Sequence, residues 1–562
     1  MWALGVDREI SKRPADKTQM AHKLHNQWKK KLKVNWSSIS IYNTMEVAKM
    51  NVLLVCPEFP ETFWSFSHAL SFIGKKAAFP PLGLLTVAAL LPEEWNKRLV
   101  DLNVRELRDE DLLWCDFVFL GSMAIQRKSV DRIIGRCREL QIKMVAGGPL
   151  FTSEPDTFFE VDHLILDEAE LTLPLFLTDL QNGTPKKIYR AEKFCNLESI
   201  PPPQLDLIEV KDYASMSIQF SRGCPFNCDF CNVTTLFGRR SRIKSSHQII
   251  NELDRIYATG WRSSIFFVDD NFIGNKEFLK NSLLPAIIEW RQGKKGCVFF
   301  TETSINLADD PELLDMMVRA GFDSVFIGIE SPDEKSLAEC HKHQNRNRDL
   351  LESVKCIHRS GLQVMGGFIV GFDCDLPSIF QKQIDFIEKS GIAIAMVGML
   401  QAPPGTRLFK RLSGESRITR IFSGDNVDGT TNIIPRMGID TLLHGYQSIM
   451  KNIYSPVSYY RRVRTLLHEL EPPRATMPIN FQRFLCFFRA AIRLGLLGKE
   501  RFHYWHLMLW TLFRRPRQLA LAITLSIYGH HYRRICELYI YEEPHNHNYL
   551  QEDKKNKALS PV

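Results

Sequence analysis

The stretch Ser-Arg-Gly-Cys-Pro-Phe-Asn-Cys-Asp-Phe-Cys at residues 221–231 places Cys224, Cys228 and Cys231 on one short segment. It follows a strand-like run at 215–220. Three closely spaced thiolates can hold three irons of a four-iron cluster and leave the fourth iron open for a ligand. Because clusters that only carry electrons are held by four cysteines, this stretch predicts chemistry at the open iron of a [4Fe-4S] cluster.

Two other interpretations of the three cysteines have less support. A structural zinc site needs four ligands, usually arranged as two close pairs. The nearest other cysteines, Cys195 and Cys297, are distant and unpaired, and no His-x3-His pair follows the stretch. A disulfide framework is typical of short secreted chains, whereas this chain has 562 residues and shows no signal-peptide pattern.

The composition is that of a globular protein with several domains. Of the 562 residues, 44% are hydrophobic and 24% are charged, and this length predicts about three domains. The 13 cysteines, scattered apart from the trio, favour a reducing cytoplasm. No apolar run reaches the roughly 18 residues that a membrane-spanning helix needs. We therefore expect a cytoplasmic protein, with at most peripheral contact at the inner membrane surface.

Charge is distributed unevenly along the chain. Residues 1–49 carry 10 Lys and Arg against 4 Asp and Glu, and residues 451–562 carry 18 against 8. Residues 50–450 carry 44 against 52, so the central part is acidic. Because binding to nucleic-acid phosphates needs a cationic surface, we expect no nucleic acid as partner or substrate of the central part.

Changes in composition predict five segments. These are a basic, disordered N-terminal extension at 1–49, an α/β domain at 50–190, a proline-rich linker at 191–213, a second β/α series at 214–425 and a helical, basic and aromatic region at 426–562. In the α/β domain, short apolar runs alternate with helical patterns, which predicts a doubly wound, Rossmann-like parallel sheet. Ligands bind such sheets at the carboxyl ends of the strands.

The second β/α series predicts an incomplete barrel. Its strand patterns lie at 217–220, 264–268, 298–301, 324–329, 364–370 and 395–400. Each is followed by an amphipathic helix, and six such units rather than eight make an incomplete (β/α)6 barrel. The cysteine stretch comes just after the first strand, at the end of the barrel where active sites are built.

The C-terminal region at 426–562 allows two interpretations. Basic, aromatic and amphipathic helices at 481–497 and 504–532 can lie on an anionic membrane surface. The same apolar density suits a helical cap packed on the barrel with a solvated basic face. We favour the cap.

The cysteine spacing, with Phe230 before the last cysteine, resembles the signature of the radical S-adenosylmethionine (SAM) superfamily. Further motifs similar to those of that superfamily follow in order at strand ends: Val268-Asp-Asp-Asn-Phe272, Thr301-Glu-Thr303, Gly328-Ile-Glu-Ser331, Gly366-Gly-Phe-Ile-Val-Gly-Phe372 and Ala402-Pro-Pro-Gly-Thr406. The resemblance implies that the three cysteines ligate the cluster and that SAM binds its open iron. Reductive cleavage of SAM then yields a 5′-deoxyadenosyl radical. The SAM contacts that the resemblance implies are Phe230, Asp270, Thr303, Glu330, Gly366 and Gly367.

The α/β domain at 50–190 resembles the cobalamin-binding domain of one subgroup of these enzymes. The resemblance implies cobalamin contacts at Asn103, Ser122, Gly147 and Gly148. Many cobalamin domains carry an Asp-x-His-x-x-Gly loop whose histidine is the lower cobalt ligand, and here Asn103 stands in that place. Because a carboxamide is a poor cobalt ligand, we expect cobalamin without a protein imidazole below it, or a domain that has lost cobalamin.

Over residues 50 to about 470, the chain resembles cobalamin-dependent radical methylases of the hopanoid C-2 methylase type. The shared segments are Pro80-Pro-Leu-Gly-Leu-Leu-Thr86, Asp167-Glu-Ala-Glu170 and Gly424-Asp-Asn-Val-Asp-Gly429. The resemblance implies methyl transfer to an unactivated carbon of a lipid or other small molecule, with an electron donor such as flavodoxin or ferredoxin. No residue is assigned as a catalytic acid or base, since no such constellation is evident in the chain.

Two alternatives stay open. A cobalamin-dependent radical SAM cyclase or rearrangement enzyme shares the cofactors but transfers no methyl group, so it forms no S-adenosylhomocysteine. A non-catalytic, metal-stabilised binding protein uses the cysteines for structure alone. The order of the strand-end motifs behind the cysteine stretch argues against this second alternative.

Overall fold

The computed structural model describes residues 49–425, 427, 429–472 and 481–541, with the backbone alone at 481 and 482. The predicted N-terminal extension lies outside the described residues, except for its last residue. Two residues of the Gly-Asp-Asn-Val-Asp-Gly motif and the chain beyond 541 also lie outside them. Within these ranges, no helix combines the length and the apolar character needed to cross a membrane.

The first sheet has six parallel strands in the order β2-β1-β3-β4-β5-β6. They are β1 (Asn51–Cys56), β2 (Asn96–Asp101), β3 (Phe117–Gly121), β4 (Lys143–Gly147), β5 (His163–Ile165) and β6 (Ile188–Tyr189). Alternate residues of β1 enter two separate hydrophobic cores: Leu53 and Val55 lie in one, Val52 and Leu54 in the other. Both faces of the sheet are therefore covered, as a parallel sheet requires. Strand β2 lies on one side of β1, and β3 to β6 follow on the other side, so the direction in which the chain adds strands reverses at β1. Ligands bind doubly wound sheets beside such a reversal.

The second sheet also has six parallel strands, in the order β14-β13-β12-β11-β10-β7, so its neighbours follow the order of the chain. The strands of this part of the chain are β7 (Met216–Ile218), β8 (Ser221–Arg222), β9 (Arg242–Ile243), β10 (Ser264–Phe267), β11 (Val298–Thr303), β12 (Phe322–Glu330), β13 (Gln363–Val370) and β14 (Ala395–Met399). Strands β8 and β9 form a separate antiparallel hairpin.

α-Helices of five or more residues connect and cover the strands. They are α1 (Ser67–Ile73), α2 (Leu82–Leu90), α3 (Asp109–Leu113), α4 (Arg127–Glu139), α5 (Pro149–Ser153), α6 (Ala169–Gln181), α7 (Val233–Phe237), α8 (Ser246–Ala258), α9 (Leu284–Trp290), α10 (Pro311–Ala320), α11 (Glu334–Glu339), α12 (Leu350–Arg359), α13 (Ser378–Ser390), α14 (Arg407–Gly414), α15 (Ile439–Ile453), α16 (Pro456–Glu469), α17 (Phe481–Arg493), α18 (Arg501–Arg514) and α19 (Leu519–Ile535).

Successive side chains of each strand in the second sheet point alternately to the two faces of the sheet. In β12, Val325, Ile327 and Ile329 are fully buried in the helix-covered core. Phe326 points to the opposite side, where its ring lies 5.0 Å from the ring of Trp64. Because successive side chains of a strand point to opposite faces, one face of this sheet is left to bind ligands.

The first strand of the second sheet ends earlier than predicted. Strand β7 stops at Ile218, and the chain then enters the β8/β9 hairpin before it reaches the cysteines. The carboxylate of Asp269, directly after β10, accepts hydrogen bonds from the backbone N–H groups of Phe220 (3.3 Å) and Ser221. These bonds satisfy two buried donors and turn the chain out of the sheet, which no local pattern in the sequence predicts.

Residues of the predicted linker at 191–213 pack against their surroundings. Cys195, Leu197 and Ile200 form a small buried cluster. The Tyr213 hydroxyl donates a hydrogen bond to Asp101 over 3.0 Å. The end of this segment is thereby attached to β2 of the first sheet.

The C-terminal helices extend the core of the second sheet. The Tyr454 hydroxyl donates to the Ala395 carbonyl at the start of β14 over 2.7 Å, and the ring of Tyr454 stacks on that of Tyr532 at 5.2 Å. Arg462 of α16 is fully buried and pairs with Glu388 of α13 at 2.5 Å. A buried guanidinium needs such a partner, because an unpaired charge is strongly destabilising there.

The structure confirms the predicted α/β fold with two parallel sheets. The predicted strand patterns coincide with the observed strands to within two residues at nearly every end. The sequence did not predict β6, whose two residues are too few to show a pattern.

Candidate functional site

A cavity of ≈ 1010 Å³ lies between the carboxyl-terminal edges of the two sheets. From the first sheet, Ser122, Gly147 and Gly148 line it, and from the second sheet Phe266 and Glu302 do. Ligand cavities usually span about 300–1,000 Å³, so this one is large enough for more than a single small molecule. Strand ends of both sheets thus share one cavity.

The loop that carries the three cysteines begins and ends beside the cavity, although the three cysteines are not among the residues that line it. Arg222, directly before the loop, and Phe237, at the end of α7 after it, both line the cavity. Within the loop, the Cys231 N–H donates to the Cys228 carbonyl over 3.3 Å. These two thiols and that of Cys224 are all partly exposed, so the three remain accessible to a bound group.

One nearby cation favours the ionised form of the thiols, against the effect of burial. Burial raises the pKa of all three thiols, that of Cys231 to about 12, and the ammonium group of Lys342 opposes this rise in each case. The Gln344 amide donates to the Cys228 sulfur over 3.8 Å. Because the thiolate is the metal-binding form, Lys342 and Gln344 stabilise the state that a cluster needs.

Across the described ranges, no three His, Cys, Asp or Glu side chains stand close enough to hold one metal ion. In a [4Fe-4S] cluster each cysteine binds a different iron, so the sulfurs of such a site are spread more widely than the ligands of a single ion. Three partly exposed cysteine sulfurs beside a lysine are a donor set that fits a cluster.

Two adjacent aspartates at the end of β10 hold the start of the cysteine loop. Asp270 accepts a hydrogen bond from the Gly223 N–H over 3.1 Å, and Asp269 holds the hairpin before it. Gly223 has a φ of +92°, and a Cβ atom there would lie 2.7 Å from the Arg240 carbonyl oxygen. Burial raises the pKa of both carboxyl groups, that of Asp269 to about 7. Asp270, a predicted SAM contact, therefore also positions the loop backbone.

An ion-pair network connects the β8/β9 hairpin, whose loop carries the cysteines, to the start of α6 in the first α/β domain. The Arg222 guanidinium lies 2.8 Å from Glu170 and 3.0 Å from Glu168, and Arg242 on the partner strand lies 2.8 Å from Glu168. Burial alone would raise the pKa of Glu168, but its hydrogen bonds and the two arginines hold that pKa below its ordinary value. The Asp-Glu-Ala-Glu segment thus positions the hairpin that carries the cysteines.

Strand alternation separates Thr303 from Glu302 at the end of β11. Thr303 was predicted to contact SAM, but it lies on the same side of the strand as Phe299, in the helix-covered core, and no described residue hydrogen-bonds its buried hydroxyl. Glu302 points the other way and lines the cavity. Burial, together with the nearby charge of Asp270, raises the pKa of Glu302 to about 8. The sequence analysis missed Glu302, although the period of two in the strand could have indicated it.

Glu330, a predicted SAM contact, closes β12 in an unusual backbone conformation. Its φ is +64°, in the left-handed region, which costs a residue with a side chain about 1–2 kcal/mol. Its carboxylate lies 2.7 Å from Lys342 Nζ. A Cβ atom on Gly328 would lie 2.8 Å from the same Nζ, so glycine leaves room for this ion pair. Lys342, which was not predicted, thus lies between Glu330 and the cysteines.

Gly366 and Gly367, both predicted to contact SAM, face opposite sides of β13. A Cβ atom on Gly366 would lie 3.2 Å from Ile392 in the helix-covered core. A Cβ atom on Gly367 would lie 3.0 Å from the Phe326 ring, on the face turned away from that core. Only Gly367 therefore leaves space on the ligand-binding face. Phe230, the remaining predicted SAM contact, packs near Phe372 with ring centroids 6.3 Å apart.

Three of the predicted cobalamin contacts form one wall of the cavity. Ser122 donates its N–H to the Gly147 carbonyl over 3.3 Å, and no described residue hydrogen-bonds its buried hydroxyl. A Cβ atom on Gly147 would lie 2.6 Å from the Ile165 carbonyl oxygen, and one on Gly148 would lie 3.0 Å from the Ser122 carbonyl oxygen. The wall is therefore bare backbone with one free hydroxyl, which suits a large flat ligand.

Asn103, the fourth predicted cobalamin contact, lines the cavity, but its amide is bonded within the protein. It accepts from the Phe59 N–H over 2.8 Å and donates to Asp101 over 2.7 Å. Because these bonds use both ends of the amide, Asn103 shapes the loops after β1 and β2 and is not free to ligate cobalt.

Two family models match the chain. The model of the radical SAM superfamily matches residues 218–375, which include the cysteine loop and strands β8 to β13. A model described as a domain of unknown function matches residues 406–543. The cysteine loop and the strands behind it thus belong to a radical SAM domain.

Two similar proteins align with most of the chain. An uncharacterized methyltransferase of Synechocystis sp. is 39% identical over 526 residues, which cover 91% of this chain and 98% of the relative. The hopanoid C-2 methylase of Rhodopseudomonas palustris (strain TIE-1) is 33% identical over 499 residues, which cover 85% of this chain and 92% of the relative. The chain therefore belongs to the radical SAM methyltransferase family that contains these two proteins.

Two solved structures share the fold. The cobalamin-dependent SAM radical enzyme OxsB with aqua-cobalamin bound superposes with a TM-score of 0.57 at 15% identity, over 91% of this chain and 84% of OxsB. The radical SAM methyltransferase TsrM from Kitasatospora setae superposes with a TM-score of 0.52 at 15% identity, over 87% of this chain and 99% of TsrM.

The prediction of a radical SAM enzyme, resembling the methylases of the hopanoid C-2 type, is confirmed by the family. The predicted cofactors, a [4Fe-4S] cluster, SAM and cobalamin, agree with the family and with the shared fold. The individual site residues stay predictions.

Proposed function

We propose that this protein is a cobalamin-dependent radical SAM methyltransferase that adds a methyl group to an unactivated carbon of an apolar small molecule. The observation that supports this most is the single cavity shared by the carboxyl ends of both sheets. Its Ser122 and Gly147 wall suits cobalamin, and Glu302 and Phe266, which also line it, belong to the radical SAM domain. A substrate between these walls is within reach of both cofactors.

The cysteine loop has the chemistry to hold the cluster in this proposal. Cys224, Cys228 and Cys231 ligate three irons, and Lys342 offsets the negative charge of the thiolates. When bound, the cluster and SAM supply hydrogen-abstracting radical chemistry, and cobalamin supplies the methyl group. Gln344 donates to the Cys228 sulfur, and such hydrogen bonds are one of the ways a protein sets a cluster's reduction potential.

Residues at the strand ends of the two sheets hold the two other cofactors in this proposal; those for cobalamin line the cavity, and those for SAM lie outside its lining. Glu330, fixed by Lys342, and Gly367 offer SAM a carboxylate and an open backbone face on neighbouring strands. Ser122 and Gly148 offer cobalamin a hydroxyl and a bare backbone. Because the Asn103 amide is bonded internally, the protein presents no ligand to cobalt from that loop.

The cavity wall suits an apolar substrate. Trp64, Phe79 and Phe266 line it, and the rings of Phe79 and Phe266 lie 5.3 Å apart. Aromatic side chains bury large apolar surfaces and contact hydrocarbon well. We propose a lipid or a similar apolar molecule, of the class that the R. palustris relative's name indicates.

We also propose the finer domain arrangement. Residues 214–425 form an incomplete (β/α)6 barrel behind a cobalamin-binding domain at 50–190, and the helices after 426 cap the barrel. The exposed cations Arg239, Arg240 and Arg407 border the cysteine loop, and such a surface suits an acidic electron donor such as flavodoxin or ferredoxin.

Anaerobic incubation of reconstituted protein with SAM and a chemical reductant tests the proposal. We expect 5′-deoxyadenosine and S-adenosylhomocysteine when hydroxocobalamin and an apolar polycyclic triterpene are present. Formation of 5′-deoxyadenosine without S-adenosylhomocysteine would favour the cyclase or rearrangement alternative instead. Formation of neither product by protein with a full cluster and bound cobalamin would overturn the proposal.

A further inference from the structure

Helices α17 and α18 leave two rows of apolar side chains exposed. On α17, Phe484, Phe488 and Ile492 are four residues apart and all exposed, and Leu496 and Leu497 continue the row beyond the helix end. Residues spaced by four lie on one face of a helix, so this row is a continuous stripe.

Helix α18 carries a second stripe. Phe502, Trp505, Leu509 and Phe513 are exposed along one side, and Phe502 and Phe513 are 75% and 79% exposed. Trp505 Nε1 donates to the Gly495 carbonyl over 2.9 Å, so the two stripes meet at the turn between the helices. We call the exposed residues of both stripes the apolar face.

The packing of the two helices does not account for the apolar face. Their opposite sides carry Ala490, Tyr504 and Leu507, which are buried in the core of the second sheet and the C-terminal helices. Each helix thus already buries one apolar side. Soluble proteins rarely expose large contiguous apolar patches without a binding role.

Basic side chains surround the apolar face. Residues 481–518 contain eight Lys and Arg and one acidic residue, Glu500. Glu500 is buried and pairs with Arg533 at 2.7 Å, so it adds no free negative charge to the surface. Arg493, Lys499 and Arg514 are exposed beside the apolar residues.

We propose that the apolar face docks on an anionic membrane surface. The exposed phenylalanines and leucines enter the boundary between headgroups and acyl chains, and the exposed basic side chains face the lipid phosphates. Peripheral binding of this kind combines buried apolar area with attraction to anionic lipids. Membrane docking agrees with the proposed lipid substrate. The evidence for it is the apolar face and its basic surroundings alone, so it does not depend on which reaction the site performs.

Flotation of the full-length protein with vesicles tests the proposal. We expect the protein to float with vesicles of phosphatidylcholine and phosphatidylglycerol, to float much less with phosphatidylcholine alone, and to be partly released by salt. Phe488→Glu and Phe513→Glu should each weaken vesicle binding about tenfold, the factor expected when one buried aromatic side chain is lost. Arg514→Glu should weaken binding only to the anionic vesicles.

Phe159→Glu is the matched control, since Phe159 is also 75% exposed but lies in the loop before β5. It should float as the native protein does, and circular dichroism should show every variant folded. Failure of the native protein to float with anionic vesicles would overturn the proposal, as would flotation unchanged by Phe488→Glu and Phe513→Glu. If the protein does not float and sedimentation shows a dimer that Phe513→Glu dissociates, the apolar face binds a second copy of the chain. This result would also overturn the proposal.

Discussion

Arg222 and Glu170 link the β8/β9 hairpin to helix α6 of the first α/β domain, with 2.8 Å between Nη2 and Oε1. The contact lies at the point where the cysteine loop begins. Arg222 is the last residue of β8, and Glu170 lies in the first turn of α6. Their side chains are only 12% and 10% exposed, so the pair is shielded from water. The position of the cysteine loop relative to the first sheet depends on this contact.

Arg222→Gln should lower the free energy of unfolding by about 3 kcal/mol, because removing one partner of a buried ion pair leaves a carboxylate uncompensated. Denaturant titration of the protein measures this. Arg319→Gln is the control: its pair with Asp315 is half-exposed, and such a pair contributes about 0.5 kcal/mol. Equal effects of the two substitutions would contradict the structural role of Arg222.

Cys228→Ala should reduce the iron content of anaerobically reconstituted protein from about four per chain to near zero and abolish formation of 5′-deoxyadenosine. Iron assay and chromatography of the products measure the two effects. Cys356→Ala is the control, since Cys356 is also partly exposed but lies in α12 and donates to the Ala308 carbonyl. Loss of iron in both variants would show that the assay reports unfolding and not ligation.

Gly147→Ala should weaken cobalamin binding at least tenfold, because its Cβ atom would lie 2.6 Å from the Ile165 carbonyl oxygen and force β4 and β5 apart at the cavity. Equilibrium dialysis with hydroxocobalamin measures the affinity. Gly135→Ala, in the middle of α4 with open space around it, should leave affinity unchanged and raise stability by about 0.5–1 kcal/mol. Unchanged affinity in Gly147→Ala would place cobalamin elsewhere.

Glu302→Gln should change how stability depends on pH. The pKa of Glu302 is raised from 4.5 to about 8, so its contribution to stability is fully present below about pH 4.5 and is lost as the pH rises through about 8. Gln cannot ionise, so the variant should gain in Tm relative to native apo-protein as the pH rises from about 5 to about 9. Glu277→Gln, at an exposed position, is the control. A Tm difference that is the same at every pH would contradict the burial of a titrating Glu302.

Much of the fold follows from local patterns in the sequence. Strands β10 to β14 are five short runs rich in apolar residues that can be recognised in the sequence, and helices such as Pro311–Ala320 begin at proline and end before glycine. Such signals depend on neighbours along the chain. The cysteine spacing is equally local, so the cluster loop could be predicted.

The site itself was predicted less completely. Gln344 was missed because its contact is with Cys228, 116 residues away in sequence. Lys342 was missed because its contact with Glu330, 12 residues earlier, follows no local pattern. The sequence analysis named Thr303 and not Glu302, because a motif at a strand end does not state which of two neighbouring side chains faces the cavity.

The sequence by itself determined the positions of the strands along the chain, the spacing of the three cysteines and the apolar character of the helices, since each is a property of residues close together in the chain. Only the tertiary structure decided which strand-end side chains share the cavity and that Arg222 meets Glu170. Both contacts depend on how the twist of the strands and the packing of two separate sheets bring distant residues together. A periodic pattern along the chain carries no information about such contacts.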